Sequence, residues 1–308
     1  MQYRHLYYFV RIVDAGSFSQ AARTIHVAQP ALSQQIAELE ASLGVPLLRR
    51  SARGVKPTAA GQKFYDEVSS ILRRYGDLLG LVRSSAGDVE GRVSLGMPAS
   101  LSQTLVGPFI EACRASHPKV ALKFIDGDSE FLREEVEKSR LDLALAYEDE
   151  FFPVVLRQPL FQQNHYLISS KRSAHAAGST ISLKEVAKMP LVLPGRLNAR
   201  REVIERTFAE AGLSLNLAAE AVTVSSEFSA VRSGAGSTIF NLGDMSGFSL
   251  DDFAEPVLIE PTFYLTCCLI WSNESPLTLA AEGVKTLLIN FMKDHFQKAH
   301  RPGALWLD

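Results

Sequence analysis

Three polar side chains near the start of the chain combine hydrogen-bond donors and acceptors at helical spacing. Gln29, Ser33 and Gln34, with Gln35 beside them, fall on the outward side of a helical pattern. Glutamine can pair in two places with an adenine edge, and a serine hydroxyl donates or accepts. No acid that would repel phosphates precedes Glu38 in this pattern. The residues therefore predict recognition of DNA bases, and the alternative is a helical hairpin with a polar solvent face.

A cluster of basic side chains follows in the run VPLLRRSARGVKPT, which is typical of a short hairpin. A hairpin after such a helical pair is the wing of a winged helix. Its charges suit contacts with phosphates, which position a protein on DNA but specify no sequence. A solvated basic loop is the alternative. The basic residues are Arg49, Arg50, Arg53 and Lys56.

Two short helical patterns must position the glutamines, and a further helix is predicted over residues 4–14. The first of the two covers residues 18–26, and Ser17 suits its N-cap because the hydroxyl can accept a first-turn amide. The second begins at Gln29, and Pro30 loses no hydrogen bond in its first turn. This plan is a helix-turn-helix, whose second helix enters the major groove. The buried face of that helix is Leu32, Ile36, Leu39 and Leu43.

A long helix without proline is predicted over residues 59–86, with Thr58 as its cap. Two series of apolar residues, each seven apart, form a coiled-coil seam along it. On a single chain this seam would be exposed, so a helix from a second subunit is its expected cover. The predicted dimerisation residues are Phe64, Val68, Ile71, Tyr75, Leu78 and Val82.

The rest of the chain alternates between strand and helix patterns, which indicates parallel sheet order with right-handed crossovers. The first set has strands at 92–96, 120–126 and 141–147 and helices at 103–116 and 129–139. A crossing segment at 154–170 leads to a second set, with strands at 191–193, 217–221 and 238–240 and helices at 198–211 and 225–233. A strand at 263–271 and a helix at 277–298 return to the first set. The expected architecture is two α/β lobes joined by two crossings, as in periplasmic solute-binding proteins.

Polar loops follow several of these strands, where open α/β sheets bind their ligands beside helix N-termini. One serine of residues 97–102 is expected to cap a helix and another to contact a ligand, for which the first-turn amides suit an anion. One arginine of residues 194–201 could clamp a carboxylate, with the others solvated. The candidate ligand contacts are Ser100, Leu101, Ser102, Asp128, Tyr147, Arg196, Asn198, Arg200, Thr223 and Thr238.

Length and composition favour a globular chain of two or three domains, with 308 residues, 46% apolar and 21% charged. No long apolar run predicts a membrane span and no secretory leader is recognisable, so a cytoplasmic location is expected. Cys113, Cys267 and Cys268 lack metal-ligand spacing and are expected to be buried thiols. A redox switch between the two adjacent cysteines is the alternative.

The net charge of −2 conceals a basic N-terminus. Residues 1–58 hold seven lysines and arginines against three acids, and the remainder holds 25 basic and 31 acidic residues. This asymmetry is the electrostatic footprint of a nucleic-acid-binding module. The sequence lacks the motifs of serine hydrolases, zinc proteases and P-loop enzymes, and its seven histidines are scattered. Neither catalysis nor a metal or cofactor is predicted.

The first sixty residues resemble the N-terminal domain of the LysR-type transcriptional regulators, and a weaker resemblance continues to about residue 298. Leu48 replaces the usual phenylalanine of that family but keeps the position apolar. The run PLVLPGR resembles a subgroup that includes nitrogen-assimilation and cysteine-related regulators. Phe240-Asn241 replaces a common proline and leaves the identity of the effector open. The matching residues are Leu6, Phe9, Val13, Gly16, Ser17, Phe18, Ala21, Ala22, Gln29, Pro30, Ala31, Leu32, Ser33, Ile36, Leu39, Glu40, Leu43, Gly44, Leu47, Arg50, Thr58 and Gly61.

The resemblance implies a multidomain regulator. Its expected domains are an all-α, winged helix-turn-helix domain at 1–58, a linker or dimerisation helix at 59–87 and a two-lobed α/β effector domain at 92–300. Lobe I would cover about 92–161 and 267–300, and lobe II about 162–266. The expected partners are double-stranded DNA, RNA polymerase, a small-molecule effector and further copies in a homodimer or homotetramer, but no membrane.

The predicted function is sequence-specific binding of DNA, with an effector, expected to be anionic, in the cleft between the lobes modulating binding or activation. The alternatives are a small-molecule-binding protein and an enzyme with an accessory DNA-binding head. The candidate DNA contacts are Ser17, Arg23, Gln29, Pro30, Ala31, Ser33, Gln34, Arg50, Arg53 and Lys56.

Overall fold

The computed structural model of the chain describes residues 1–51, 54–84, 89–147, 155–173, 179–196, 198–243, 251–298 and 303–307. For residues 73–74, 77–84, 173 and 297–298 it describes the backbone alone. The chain divides into two compact units, Met1–Ala86 and Gly87–Asp308. Among the described residues, none of the helices combines the length and the apolar character that crossing a bilayer requires.

The first unit consists of three helices, a hairpin and a long helix. Its elements are α1 (Tyr3–Ala15), α2 (Phe18–Thr24), α3 (Gln29–Leu43), β1 (Leu48–Ser51), β2 (Gly54–Pro57) and α4 (Ala59–Ser84). Helices α1 to α3 enclose an apolar core that includes Phe9, Ile12, Leu32, Ile36 and Leu39. These residues recur at helical spacing, so each helix presents one apolar face to the others.

Local chemistry sets the helix boundaries in this unit. The Ser17 hydroxyl accepts a hydrogen bond from the Gln20 amide at 3.4 Å, which confirms the predicted N-cap of α2. Helices α1 and α3 end at Gly16 and Gly44, whose φ angles of 60° and 72° are left-handed. Glycine adopts that conformation without a steric penalty and so ends helices readily.

The hairpin of β1 and β2 is fastened to the helices at two points. The Glu40 carboxylate accepts hydrogen bonds from the amides of Leu47 and Leu48, at 2.7 and 2.9 Å. On the other strand, the Val55 amide donates to the Gly16 carbonyl at 2.8 Å. The hairpin is therefore held in a fixed position beside α1 and α3.

Helix α4 begins in direct contact with the hairpin. The Thr58 hydroxyl accepts from the Gly61 amide at 2.9 Å, so the predicted cap is confirmed. A Cβ atom on Gly61 would lie 1.9 Å from the Leu47 carbonyl oxygen. No side chain fits in that space, and the close approach of α4 to the hairpin depends on glycine.

The predicted coiled-coil seam of α4 divides into two parts. Phe64 packs edge-on against Phe9, with ring centroids 5.2 Å apart, and Val68 is 2% exposed within the single chain. Ile71 and Tyr75 are 51% and 52% exposed. The expectation that the whole seam faces a second subunit is wrong for Phe64 and Val68, because their own chain already buries them. The side chains of Leu78 and Val82 lie outside the described residues.

The second unit begins with a strand and helix alternation that ends in a long crossing strand. Its first elements are β3 (Glu90–Met97), α5 (Ala99–Ser116), β4 (Lys119–Asp126), α6 (Ser129–Glu137), β5 (Leu143–Tyr147) and β6 (Val155–Asn164). The next are β7 (Tyr166–Ile168), β8 (Thr180–Ser182), α7 (Leu183–Val186), β9 (Leu191–Leu193), α8 (Ala199–Glu210), β10 (Leu217–Glu220), α9 (Val224–Ser233), β11 (Thr238–Phe240) and β12 (Val257–Glu260). The last are β13 (Tyr264–Ser272), α10 (Leu279–Lys298) and β14 (Ala304–Trp306).

These strands form two lobes around separate sheets. Lobe I contains a six-stranded sheet in the order β14-β6-β13-β5-β3-β4, in which β3 pairs in parallel with β4 and β5. Lobe II contains a four-stranded sheet in the order β11-β7-β12-β8 and the parallel pair β10-β9. A bridge between Leu191 and Ser237 links that pair to the start of β11. Both lobes mix parallel and antiparallel pairs, so among the described strands the expected parallel order holds only for β3 with β4 and β5, β9 with β10, and β8 with β12.

The antiparallel strands β6 and β13 lead into both crossings between the lobes. They pair from Asn164 with Tyr264 to Val155 with Ser272. His165 lies at one crossing, is 1% exposed, and stacks on Phe263 at the other, with ring centroids 4.7 Å apart. The His165 Nδ1 atom lies 3.2 Å from the Phe263 carbonyl, so it carries the proton and donates. The described residues offer no hydrogen-bond partner to its Nε2 atom.

Several boundaries differ from the sequence-based expectations. Helix α5 starts at Ala99 instead of residue 103, with Pro98 as an N-cap that makes no side-chain hydrogen bond. The expectation that a serine caps this helix is therefore wrong, because Ser100 and Ser102 lie inside its first turns. Strands β12 and β14 were not predicted, since each is too short to show periodicity. The three cysteines are buried, and the adjacent pair points into two different apolar clusters.

Replacing Gly61 with alanine is expected to destabilise the first unit by about 1–3 kcal/mol, the usual range for overpacking. Urea unfolding of the full-length protein, with hydrogen exchange of the backbone amides in residues 3–57 as the probe, measures the change in the free energy of unfolding. Gly76 is the matched control on the same helix, because a Cβ there meets nothing within 4 Å. Alanine at that position should stabilise the helix by up to about 1 kcal/mol. Equal effects at both positions would contradict the close approach to Leu47.

The stability of the second unit is expected to fall as the pH drops from 6.5 to 4. Burial lowers the pKa of His165 to about 4, against the opposing hydrogen bond to Phe263, and the Arg200 charge lowers it further. The unfolded chain takes up this proton first, so acid favours unfolding through that window. His165→Asn keeps an N–H donor but does not titrate, and its stability should depend less on pH between 6.5 and 4. If the free energy of unfolding changed with pH by the same amount in the wild-type protein and in His165→Asn, His165 would be ruled out as the cause.

Candidate functional site

The predicted reading residues lie on the solvent side of α3. Gln29 and Gln34 are exposed and Ser33 is half-buried. The Gln29 side-chain oxygen accepts from the Ser19 hydroxyl at 2.9 Å, which ties the start of α3 to α2. The Gln34 amide donates to Glu38 at 3.0 Å. The three side chains therefore share an accessible surface and hold groups that can exchange these partners for base edges.

The other candidate contacts surround this surface. Pro30 and Ala31 are exposed in the first turn of α3, and small or rigid side chains there allow close approach to a groove. Arg23 is exposed, and its Nε atom donates to the Ser19 carbonyl at 3.4 Å. Ser17 is half-buried and its hydroxyl is already used as the cap of α2.

The hairpin places like charges directly opposite each other. Arg49 pairs with Lys56 across the two strands, and both side chains are exposed. Like charges at such positions destabilise a hairpin unless an anion lies between them. Arg50 lies over the ring of Phe18 at 4.2 Å from its centroid, which positions its charge beside α2. Arg53 lies outside the described residues.

Glu38 accepts a cluster of hydrogen bonds on α3 that the sequence did not predict. Its carboxylate accepts from both Gln34 and Gln35 at 3.0 Å, and His5 lies 3.7 Å away. These contacts gather the acid and the two amides at the second turn of α3. The i to i+4 spacing of Gln34 and Glu38 was the only signal of this cluster in the sequence.

A pocket in the second unit lies where four helices begin. The starts of α5 and α6 from lobe I meet the starts of α8 and α9 from lobe II around a cavity of about 300 Å³. Helix N-termini carry partial positive charge. Asp128, Asn198 and Thr223 cap three of them, accepting from backbone amides at 2.8, 3.0 and 3.2 Å. Helix α5 has no side-chain cap.

Six of the ten predicted ligand contacts line this pocket. They are Ser100, Asp128, Tyr147, Asn198, Arg200 and Thr223. The other four do not line it, for different reasons. Leu101 is fully buried in the core, Ser102 donates to Asp126 at 2.6 Å, and Arg196 is exposed elsewhere. Thr238 is fully buried and donates to Glu227.

The pocket has further lining residues. Residues 126–129, at the end of a predicted strand, were expected as candidates, and all four line the pocket. Most of the others are small residues at helix starts, which have no distinctive spacing. The additional lining residues are Pro98, Ala99, Gln103, Asp126, Gly127, Ser129, Ala199, Val222, Val224, Ser225, Phe240, Asn241 and Leu265.

Arg200 is committed to a partner inside lobe II. Its two terminal nitrogens donate to both oxygens of Glu227, at 3.0 and 2.6 Å, and one also donates to the Ile239 carbonyl at 2.9 Å. The guanidinium lies over the Phe240 ring at 4.2 Å. Arg200 is 7% exposed and Glu227 is 1% exposed. The charge of Arg200 is therefore neutralised within the protein.

The expectations for the three arginines of this loop need correction. Arg200 is not a free carboxylate clamp, because Glu227 already occupies its hydrogen-bonding edge. Arg201 was expected to be solvated, but it is 2% exposed and pairs with Glu205 at 2.8 Å. Arg196 alone is exposed, and it lies outside the pocket lining.

Glu227→Gln is expected to destabilise the second unit by about 3–5 kcal/mol, because it leaves Arg200 charged and buried without its counter-ion. Urea unfolding of the full-length protein at pH 7 measures the loss. Glu134→Gln is the matched control, since Glu134 pairs with Lys138 at the surface. That substitution should change stability by less than about 1 kcal/mol. Similar losses for both variants would contradict the burial of the Arg200 pair.

Two family models match the chain. The model for bacterial regulatory helix-turn-helix proteins of the lysR family matches residues 3–62, and the model for the LysR substrate binding domain matches residues 86–293. Together they cover both units of the structure.

Curated relatives and solved structures agree with these matches. The nitrogen assimilation regulatory protein nac of Klebsiella aerogenes is 31% identical over 296 residues, which is 95% of each chain. The Escherichia coli protein of the same name is 31% identical over 294 residues, 94% of this chain and 95% of its own. The LysR family regulator CbnR has a TM-score of 0.69 at 25% identity, covering 93% of this chain and 99% of its own. The chain therefore belongs to the LysR family of bacterial DNA-binding transcriptional regulators.

Proposed function

We propose that this regulator reads its operator with the outward face of α3 and holds the DNA backbone with the hairpin of β1 and β2. The Arg49–Lys56 pair is the observation that carries the proposal. Two exposed like charges face each other across a hairpin that Glu40 and Gly16 hold in place. A phosphate between them would relieve their repulsion, whereas water only screens it.

Base recognition is assigned to the first two turns of α3. Gln29, Ser33 and Gln34 offer amide and hydroxyl groups to base edges beside the exposed Pro30 and Ala31. Arg23, Arg50 and Lys56 would contact phosphates on either side, and Arg53 belongs to the same proposal by its place in the sequence. The phosphate contacts supply affinity that falls with salt concentration, but they give no sequence preference.

Two such heads would act together through α4. Ile71 and Tyr75 are half exposed on that helix, and Tyr3 packs on Tyr75 with ring centroids 4.7 Å apart. These three side chains form an apolar strip that a second copy of α4 would cover. Pairing two heads in this way fits recognition of two half-sites. We extend the proposal to RNA polymerase as the partner of the DNA-bound oligomer.

The pocket at the four helix starts is the proposed effector site. Lobe I and lobe II each supply two of those helices, so a bound molecule would contact both lobes. The bound molecule would shift the regulator from one conformation to another only if it binds the second conformation more tightly than the first. DNA binding or activation of transcription would follow that shift.

A mobility-shift titration of the full-length protein on its own upstream DNA tests this function. We expect the protein to bind one or a few fragments in preference to random DNA at moderate salt. In sedimentation, the protein that binds these fragments should be a dimer or tetramer. Equal binding to all fragments would contradict sequence-specific recognition. Operator binding by a monomer would contradict the paired heads.

Substitutions in α3 and in the hairpin are expected to have different effects on DNA binding. Ser33→Ala and Gln34→Ala should reduce the preference for the operator over random DNA, because they remove base contacts. Lys56→Ala should weaken binding to all DNA and lower the salt slope by about one. Fluorescence anisotropy at several salt concentrations separates the two, with Lys171→Ala in the second unit as the control. The assignment fails if both sets of variants change specificity and salt dependence alike.

A further inference from the structure

The charge of the pocket disagrees with a purely anionic effector. Arg200 is the one basic side chain among the described residues that line it. Glu227 neutralises Arg200 through two hydrogen bonds on a buried edge. Glu227 and the Ile239 carbonyl take three of the five N–H donors of Arg200, so a ligand carboxylate could reach only the remaining donors of a side chain whose charge is already paired. The arginine therefore contributes little attraction for an anion.

Two carboxylates on the lobe I side add negative charge to the pocket. Asp126 uses its Oδ1 atom to accept from Ser102 at 2.6 Å, and Asp128 uses its Oδ1 atom to accept from the Phe131 amide at 2.8 Å. Within the described residues, no cation pairs with either side chain and their Oδ2 atoms accept no hydrogen bond. Both side chains are exposed in the cavity. Glu227 lies behind the lining and cancels the charge of Arg200, so Asp126 and Asp128 leave a net charge of about −2 around the cavity, which favours a cationic group.

A second part of the pocket suits a carboxylate. The eighteen-residue helix α5 begins there with Pro98 as an N-cap that provides no side-chain oxygen. No side chain caps its first amides, and the Asp126 carboxylate lies beside the same helix start through Ser102, so the two charge sites are adjacent. Hydroxyl groups of Ser225 and Thr223 line the opposite side in lobe II. The pocket thus offers a negative patch and a positive helix end within one cavity.

The size of the pocket limits the ligand. Its volume of about 300 Å³ lies at the lower end of the range of small-molecule sites, which is about 300–1,000 Å³. Phe240, Leu265 and Val222 supply apolar surface for a short side chain. A small metabolite with two opposite charges close together fits these limits.

We propose that the effector is a free α-amino acid, with its ammonium group between Asp126 and Asp128 and its carboxylate at the start of α5. This inference rests on the proposed effector site and narrows the chemical class of its ligand. It also assigns ligand selection to Asp126, whose carboxylate accepts a hydrogen bond from Ser102.

Calorimetric titration of the full-length protein with the twenty standard L-amino acids tests the inference. The best ligand is then compared with its des-amino acid and with the amine that lacks its carboxylate. We expect the amino acid to bind most tightly and the des-amino acid to lose at least about tenfold, as expected for one charge-assisted hydrogen bond.

Asp126→Asn and Asp128→Asn test the negative patch without removing its hydrogen bonds. Asparagine oxygens still accept from Ser102 and still cap α6, so both variants should fold. Each should weaken binding of the amino acid by about tenfold but should not weaken binding of the des-amino acid, which has no ammonium group to lose a partner. Glu130→Gln is the matched control, because Glu130 is exposed in the first turn of α6 but does not line the pocket.

The outcomes separate this inference from the proposed function. Equal affinity for the amino acid and its des-amino acid would overturn the amino-acid assignment and leave the effector site standing. Binding that neither Asp126→Asn nor Asp128→Asn changes would place the ligand elsewhere and overturn both the inference and the proposed effector site. The absence of binding by every amino acid would also overturn the inference, while the mobility shift would still measure DNA recognition independently.

Discussion

A buried ion pair between Arg200 and Glu227 determines the lobe II side of the pocket between the lobes. Arg200 belongs to the first turn of α8, Glu227 to the first turn of α9, and the third partner is the carbonyl of Ile239 in β11. One guanidinium therefore fixes two helix starts to one strand end. Buried charges are tolerated only when their hydrogen bonds are complete. Completing them here neutralises the charge of Arg200 where it lines the pocket.

The N-terminal unit relies on a different constraint, which is the absence of a side chain. Gly61 lets α4 approach the backbone of Leu47, while Glu40 holds the amides of Leu47 and Leu48 from the opposite side. These contacts fix where the hairpin stands relative to α3. A reading head needs this rigidity, because base contacts and phosphate contacts must reach the same stretch of duplex together.

Local chemistry made the N-terminal helices predictable. Ser17, Pro30 and Gly44 act within one turn of the residues they control, so the start of α2 and both ends of α3 follow from the sequence, whereas α2 ends two residues earlier than expected. The state of Arg200 was not predictable, because its partner lies 27 positions away and a buried glutamate resembles a solvated one in sequence. Heptad spacing likewise marked the apolar face of α4 but could not tell that Phe64 would pack on Phe9 of the same chain. For the pocket, the strand-end rule located the correct loops, whereas the choice among neighbouring serines depended on where α5 begins.

Strand β14 has a consequence for the behaviour of the protein in concentrated solution. It pairs with residues 161–163 of β6, and Trp306 packs on Phe161 and Phe296. Without it, the ten-residue strand β6 would form the border of the lobe I sheet and present a long row of open backbone groups. Such rows are templates on which other chains add strands and aggregate. At residues 161–163 the border is instead a strand of three residues, so the C-terminal residues shorten the open edge on that side of the sheet.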